Sequence, residues 1–283
     1  MAKYRVVMAM AAVAPVVWGT TYVVTTELLP AGIPFLVGAL RALPVGLVLL
    51  AVFRTWPSGC WWWRLAVLGV LNIGLGFAMI FVSAYRLPGG VAATLGAFQP
   101  IIAAGISWIL LQQKQSKEFF VAALLGIVGV GMLVLKSSAV LDTIGVAAAI
   151  GATASIGMGL TLMKRWGRPM PLMAFTAWQL VFGGLVLLFA ALVLEPLPQH
   201  FTLKNFLGIF YLGAIGTGLA YSVYFRGLDS ASPAVISTLN LLSPITAALI
   251  GYILLGQSMT WLQLLGMVLV LASVGFIQSR NTQ

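Results

Sequence analysis

The sequence predicts an all-α integral membrane protein, with ten transmembrane helices arranged as two inverted five-helix repeats (5+5). Three observations lead there. Only 7% of the 283 residues are charged and 61% are hydrophobic. Soluble domains carry roughly 25% charged residues, so this chain cannot cover a water-facing surface. Apolar runs long enough to cross a hydrocarbon core follow one another with short connections. Finally, one run is written twice: Val91, Thr94, Leu95, Pro100, Ile101, Ala103 and Ala104 recur 144 residues later as Val235, Thr238, Leu239, Pro244, Ile245, Ala247 and Ala248.

In order, the first span, Val6–Thr26, follows Lys3 and Arg5. It is too long for a signal-peptide core and lacks a cleavage site, so it is expected to stay as a helix. The second, Ile33–Phe53, contains one charge, Arg41. The third, Trp63–Ser83, is preceded by Trp56, Trp61 and Trp62; amphipathic rings clustered there suit a membrane interface. The fourth, Gly89–Leu111, carries Pro100 near its middle. Proline has no backbone donor and leaves a carbonyl unpaired, which in lipid survives only against protein or a wet cavity. The fifth and sixth are Phe119–Leu135 and Ile144–Met163. In the sixth, Gly151, Ser155 and Gly159 recur every four positions, giving a smooth face on which another helix can lie. Met173–Leu194 and Phe206–Phe225 follow. Gly216 and Gly218 soften the eighth span as Gly74 and Gly76 soften the third. The ninth, Pro233–Leu255, repeats the proline as Pro244, and Trp261–Ile277 is the tenth.

The repeat extends further. Gly19, Ala39 and Gly46 match Gly157, Ala177 and Gly184, and a longer connection around Glu195–Lys204 changes the spacing between early and late matches. The units are expected at residues 1–136 and 137–283. Five is odd, so the second unit enters the membrane upside down. Such repeats place a site near the midplane between them. With the N-terminus inside, Lys3, Arg54, Arg64, Lys114, Lys164 and Arg226 fall on the cytoplasmic side with most other basic residues, and only Arg86, Lys136 and Lys204 fall outside. Basic residues favour the cytoplasmic side. A multi-pass protein of the inner cell membrane is expected, with both termini cytoplasmic.

Several classes are disfavoured. Cys60 and His200 are each alone, so no disulfide, metal site or cofactor is expected. A membrane enzyme would need clustered His, Asp, Glu or Cys, and no such cluster exists; no catalytic residue is expected. The net charge of +10 sits in short gaps between spans, not on a basic face, so nucleic acid is not an expected partner. The expected partners are a small-molecule substrate and the lipid bilayer, with the chain acting as a monomer.

The Trp18–Gly19 pair, Arg41 in the second span, and Pro100 and Pro244 in the fourth and ninth, all within two five-span units, resemble the drug/metabolite transporter superfamily. The nearest branch is the ten-helix EamA-type exporters; Gly216–Gln257 reads like that family's second half. The resemblance implies export of small organic metabolites, amino acids above all, aromatic or other neutral ones included. It implies alternating access through a central cavity surrounded by spans one, three, four, six, eight and nine. A drug or nucleotide-sugar transporter is the alternative; nucleotide-sugar carriage should show basic residues facing the cavity, and only Arg41 is available. Small multidrug relatives carry a membrane-embedded Glu in the first helix. Here no acid precedes Glu27, so proton antiport is not expected.

Candidate substrate-binding residues follow from chemistry. Asn72, Gln99 and Asn240 lie within spans, and an amide offers donors and acceptors to a polar or zwitterionic molecule. They could equally hydrogen-bond helix to helix, as could Gln179. Trp18, Phe77, Phe81, Phe98 and Tyr221 could enclose an apolar side chain, or simply pack. Pro100 and Pro244 mark helix breaks beside the cavity. Arg41 could hold a substrate carboxylate or a gate, or be structural, satisfied by carbonyls or by Glu27.

Overall fold

The apolar runs fold into helices. Among the described residues the spans are α1 Tyr4–Thr25, α2 Pro34–Phe53, α3 Trp61–Ser83, α4 Val91–Leu111, α5 Lys117–Val134, α6 Thr143–Trp166, α7 Leu172–Leu194, α8 Leu203–Gly227, α9 Pro233–Leu254 and α10 Trp261–Arg280. The computed structural model describes residues 2–30, 32–87, 89–134, 142–196, 200–256 and 258–280. The expected boundary between the halves, at 136/137, lies outside the described residues. Large apolar side chains face outward, with Phe189, Phe210 and Ile253 about 70% exposed. Such a surface suits lipid.

The two halves interlock. α1 packs on α8 and α9 of the second half, and its counterpart α6 packs on α3 and α4 of the first. α2 runs along α7, and α5 along α10. Missing side chains permit the close approaches. A Cβ on Gly19 would stand 2.6 Å from Ser243 O on α9, and one on Gly159 would overlap the Asn72 amide. Ser155 Oγ, on the same face of α6 as Gly159, donates to Leu71 O at 2.8 Å. The smooth face expected on the sixth span therefore carries α3.

Four spans are not continuous α-helices. α3 contains a π-helical turn at Val70–Leu75 and α8 one at Ala214–Leu219. These are the same positions of the two repeats, and the paired glycines lie in or beside them. A π-turn widens the helix and disturbs its carbonyl ladder, a feature common at functional sites. α4 is two segments, Gly89–Gly96 and Gln99–Leu111, joined at Ala97–Phe98. Pro100 lies in the first turn of the second segment, where its fixed φ and missing N–H cost little. In α9 the break is a 3₁₀ turn, Thr238–Leu241, between Pro233–Ser237 and Leu242–Leu255.

The bundle is not symmetric end to end. At the end carrying the start of α1 and the close of α10, the first half of α9 packs against the second half of α4 and the close of α6. Val235, Ile236, Ser237 and Thr238 there are 0% exposed. At the far end, the first half of α4 rests on α5 and α6, with no comparable packing on α9 among the described residues. Thr94 and Leu95 are only half-buried, unlike their repeat mates Thr238 and Leu239. The structure is sealed at the terminal end and looser at the far end.

Candidate functional site

The π-turn of α8 organises the interior. Gly216 O accepts two bonds, from Trp18 Nε1 at 2.9 Å and from Arg41 Nη2 at 3.0 Å. The Thr217 hydroxyl donates to Leu212 O at 2.8 Å, which turns a lone pair toward Arg41 Nε, also at 2.8 Å. Helices α1 and α2 are thus fastened to α8 through one disturbed turn. The Arg41 guanidinium carbon lies 5.0 Å from the centroid of Phe77, within cation–π range.

A chain of rings runs from this point. Trp18 lies 5.0 Å from Tyr221 and 5.1 Å from Tyr224. Tyr221 meets Phe77 at 6.1 Å, Phe77 meets Phe81 at 6.3 Å, and Phe81 meets Phe35 at 6.4 Å. The chain ends in a cleft of about 340 Å³ at the far end, lined by Phe35, Phe81, Arg86 and Glu195 among others. The Glu195 carboxylate caps α2, accepting from Phe35 N at 2.5 Å and Leu36 N at 2.8 Å. Arg86 pairs with Asp142 at 3.6 Å.

At the other end of the ring chain are two amides. Asn240 Nδ2 donates to Gln99 Oε1 at 2.9 Å, joining the break of α4 to that of α9. Gln99 Nε2 and Asn240 Oδ1 are buried without a hydrogen-bond partner. Tyr224 stands beside Asn240, with its hydroxyl donating to Ile236 O at 3.4 Å. Turning both amides over would change which atoms are unmet, but would still leave one donor and one acceptor. Unmet buried polar groups are rare and call for an explanation.

The architecture matches known proteins. The EamA-like transporter family matches residues 5–135 and, again, residues 143–279. The chain belongs to the EamA-like transporter family. It is a multi-pass membrane transporter of that family, and the double match falls on the two repeats. It is 46% identical over 267 residues to protein PecM of Dickeya dadantii, covering 94% of this chain and 90% of that one. It is 29% identical to the transporter YwfM of Bacillus subtilis, covering 90% and 87%. It is 25% identical to the inner membrane transporter YedA of Escherichia coli, covering 92% and 86%. One solved crystal structure superposes with a TM-score of 0.82 at 16% identity, over 98% of this chain and 99% of its own, a likeness of fold.

Within this EamA chain the residues singled out from sequence separate into groups. Trp18, Phe77, Phe81 and Tyr221 come together in the ring chain, and Gln99 meets Asn240. Phe98 does not join the rings; it stands at the α4 break, 37% exposed. Asn72 does not reach them either. It is 1% exposed and donates to Gln179 Oε1 at 2.8 Å, fixing α3 to α7. It stands against Gly159, and its Oδ1, like that of Asn240, is buried without a hydrogen-bond partner. Of the two partners expected for a structural Arg41, carbonyls or Glu27, the structure supplies a carbonyl. Glu27 is exposed at the far end of the first helix, and Arg41 is held by the Gly216 carbonyl and the Thr217 hydroxyl instead. The π-turn supplies these partners within the bundle, whereas Glu27 lies outside it. Sequence reasoning missed Gly216 and Thr217 as anchors and Phe35 as a lining residue. Glycines repeated in α3 and α8 were the one available signal for the π-turns.

Proposed function

We propose that this EamA transporter exports small polar organic metabolites, amino acids above all, by alternating access. The observation that carries this reading is the Gln99–Asn240 pair. It lies where the two broken helices meet, with one buried donor and one buried acceptor unmet. A zwitterion needs both kinds of partner. The adjoining rings of Trp18, Phe77, Tyr221 and Tyr224 offer an apolar side chain somewhere to lie. The contrast between the sealed and looser ends supports alternation, since exchange of those two arrangements by the inverted repeats would move the opening from one side to the other.

We place the protein in the inner cell membrane with the terminal end in the cytoplasm, because most basic residues lie at that end. In that orientation the structure is sealed inward. The substrate passes without proton exchange, because no carboxylate lies deep in the bundle. The test is uptake of a panel of labelled amino acids into protein-containing vesicles, with and without a pH gradient at clamped potential. Flux of at least one amino acid that persists without the gradient is expected. No amino-acid flux would refute the substrate class, and flux abolished by removing the gradient would refute the coupling.

A further inference from the structure

The interior holds one full positive charge and nothing to balance it. Arg41 is 5% exposed in the middle of α2. The chain has only five acidic residues, and each is placed elsewhere. Glu27 and Glu118 are exposed at helix ends. Asp142 caps α6 and faces Arg86. Glu195 caps α2. Asp229 pairs with Arg168 at 3.3 Å. Among the described residues Arg41 receives only neutral partners, a hydroxyl, a carbonyl and a ring face. These satisfy two of its five N–H groups, and among the described residues Nη1 makes no hydrogen bond. A guanidinium stays charged, and a buried charge is costly unless paired.

The repeat sharpens the point. The position equivalent to Arg41 in the second half is Gln179. Gln179 performs the same structural task, binding α7 to the π-turn of α3 through Asn72. A neutral amide is therefore enough to tie such a helix pair together. The charge at Arg41 needs a reason other than packing.

We infer that the transported molecule supplies the missing counter-charge, and that Arg41 is the residue selecting a carboxylate-bearing substrate. This rests on the reading of the ring chain as the substrate chamber. Arg41 lies over Phe77, and Phe77 contacts Tyr221, so a carboxylate at the guanidinium places an attached side chain along the rings. The planar fork of the guanidinium matches a carboxylate in a bidentate way.

The experiment compares three molecules of one shape: phenylalanine, 3-phenylpropanoate and 2-phenylethylamine. Binding is read as ligand-dependent thermal stabilisation of the purified full chain, for wild type, Arg41→Gln and Arg41→Lys. Wild type should prefer both carboxylates over the amine by at least about tenfold, the scale of one charge-assisted hydrogen bond. Arg41→Gln should erase that preference, and Arg41→Lys should keep part of it. A wild-type preference for the amine overturns the inference even where no variant folds. Phenylalanine binding that survives Arg41→Gln with the same preference overturns it too, while leaving amino-acid export standing. Binding of 3-phenylpropanoate without phenylalanine would instead sink amino-acid export and keep the role of Arg41. No binding of any probe to wild type counts against both.

Discussion

Arg41 and Gln179 hold the same position in the two repeats, and each ties its helix to the π-turn of the other half. Arg41 in α2 donates to Thr217 in α8 at 2.8 Å, and Gln179 in α7 accepts from Asn72 in α3 at 2.8 Å. The inverted repeat is thus cross-braced by two contacts alike in geometry and different in charge. One is neutral. The other brings a cation against the ring chain.

The amide pair between α4 and α9 should matter for binding. Gln99→Ala and Asn240→Ala are each expected to weaken substrate binding by about 1–3 kcal/mol, the usual cost of leaving a buried polar partner unmet. Folding should hold, since interhelical hydrogen bonds in membranes average about 0.6 kcal/mol. Ligand-dependent stabilisation of purified variants, read beside vesicle flux, checks this. Wild-type affinity in both would make the amides packing groups.

Gln179→Leu should behave differently. It strands the buried Asn72 amide against Gly159 without touching the rings. The expected result is a loss of about 1–3 kcal/mol of stability with unchanged substrate affinity in the folded fraction. A thermal melt and a binding isotherm on one preparation separate the two quantities. Weakened binding at full stability would place Asn72 in the substrate site after all.

Gly159→Leu tests the seam between α6 and α3. Even a Cβ there overlaps Asn72, and overpacking costs about 1–3 kcal/mol or more. The variant should express poorly or melt early. Gly105→Leu, where nothing lies within 4 Å of the added Cβ, should be tolerated. Equal behaviour of the two would show that α3 does not lie on that face.

Topology is open to direct measurement. Reporter fusions at Gln283 and in the connection between α5 and α6 should report opposite sides of the membrane, with Gln283 cytoplasmic. The same side for both would contradict the odd number of spans between them.

The sequence alone determined the ten spans, the duplication and the side toward which basic residues gather. Each is a local property. Hydropathy needs only a window of about 20 residues, and the repeat shows in matched letters. It also marked the rings and amides that meet in the interior, because a polar or aromatic group is conspicuous in an apolar run. It could not decide which of them meet. Gln99 and Asn240 are 141 positions apart and Arg41 and Thr217 are 176 apart, so nothing local distinguishes their pairing from that of Asn72 with Gln179. Nor could it choose between Glu27 and a carbonyl for Arg41, since the carbonyl becomes available only when α8 relaxes into a π-turn at Ala214–Leu219. The sealing of one end also belongs to tertiary structure. Leu95 and Leu239 are the same letter in the same register, and only the packing of α9 against α4 and α6 buries one end of the repeat more deeply than the other.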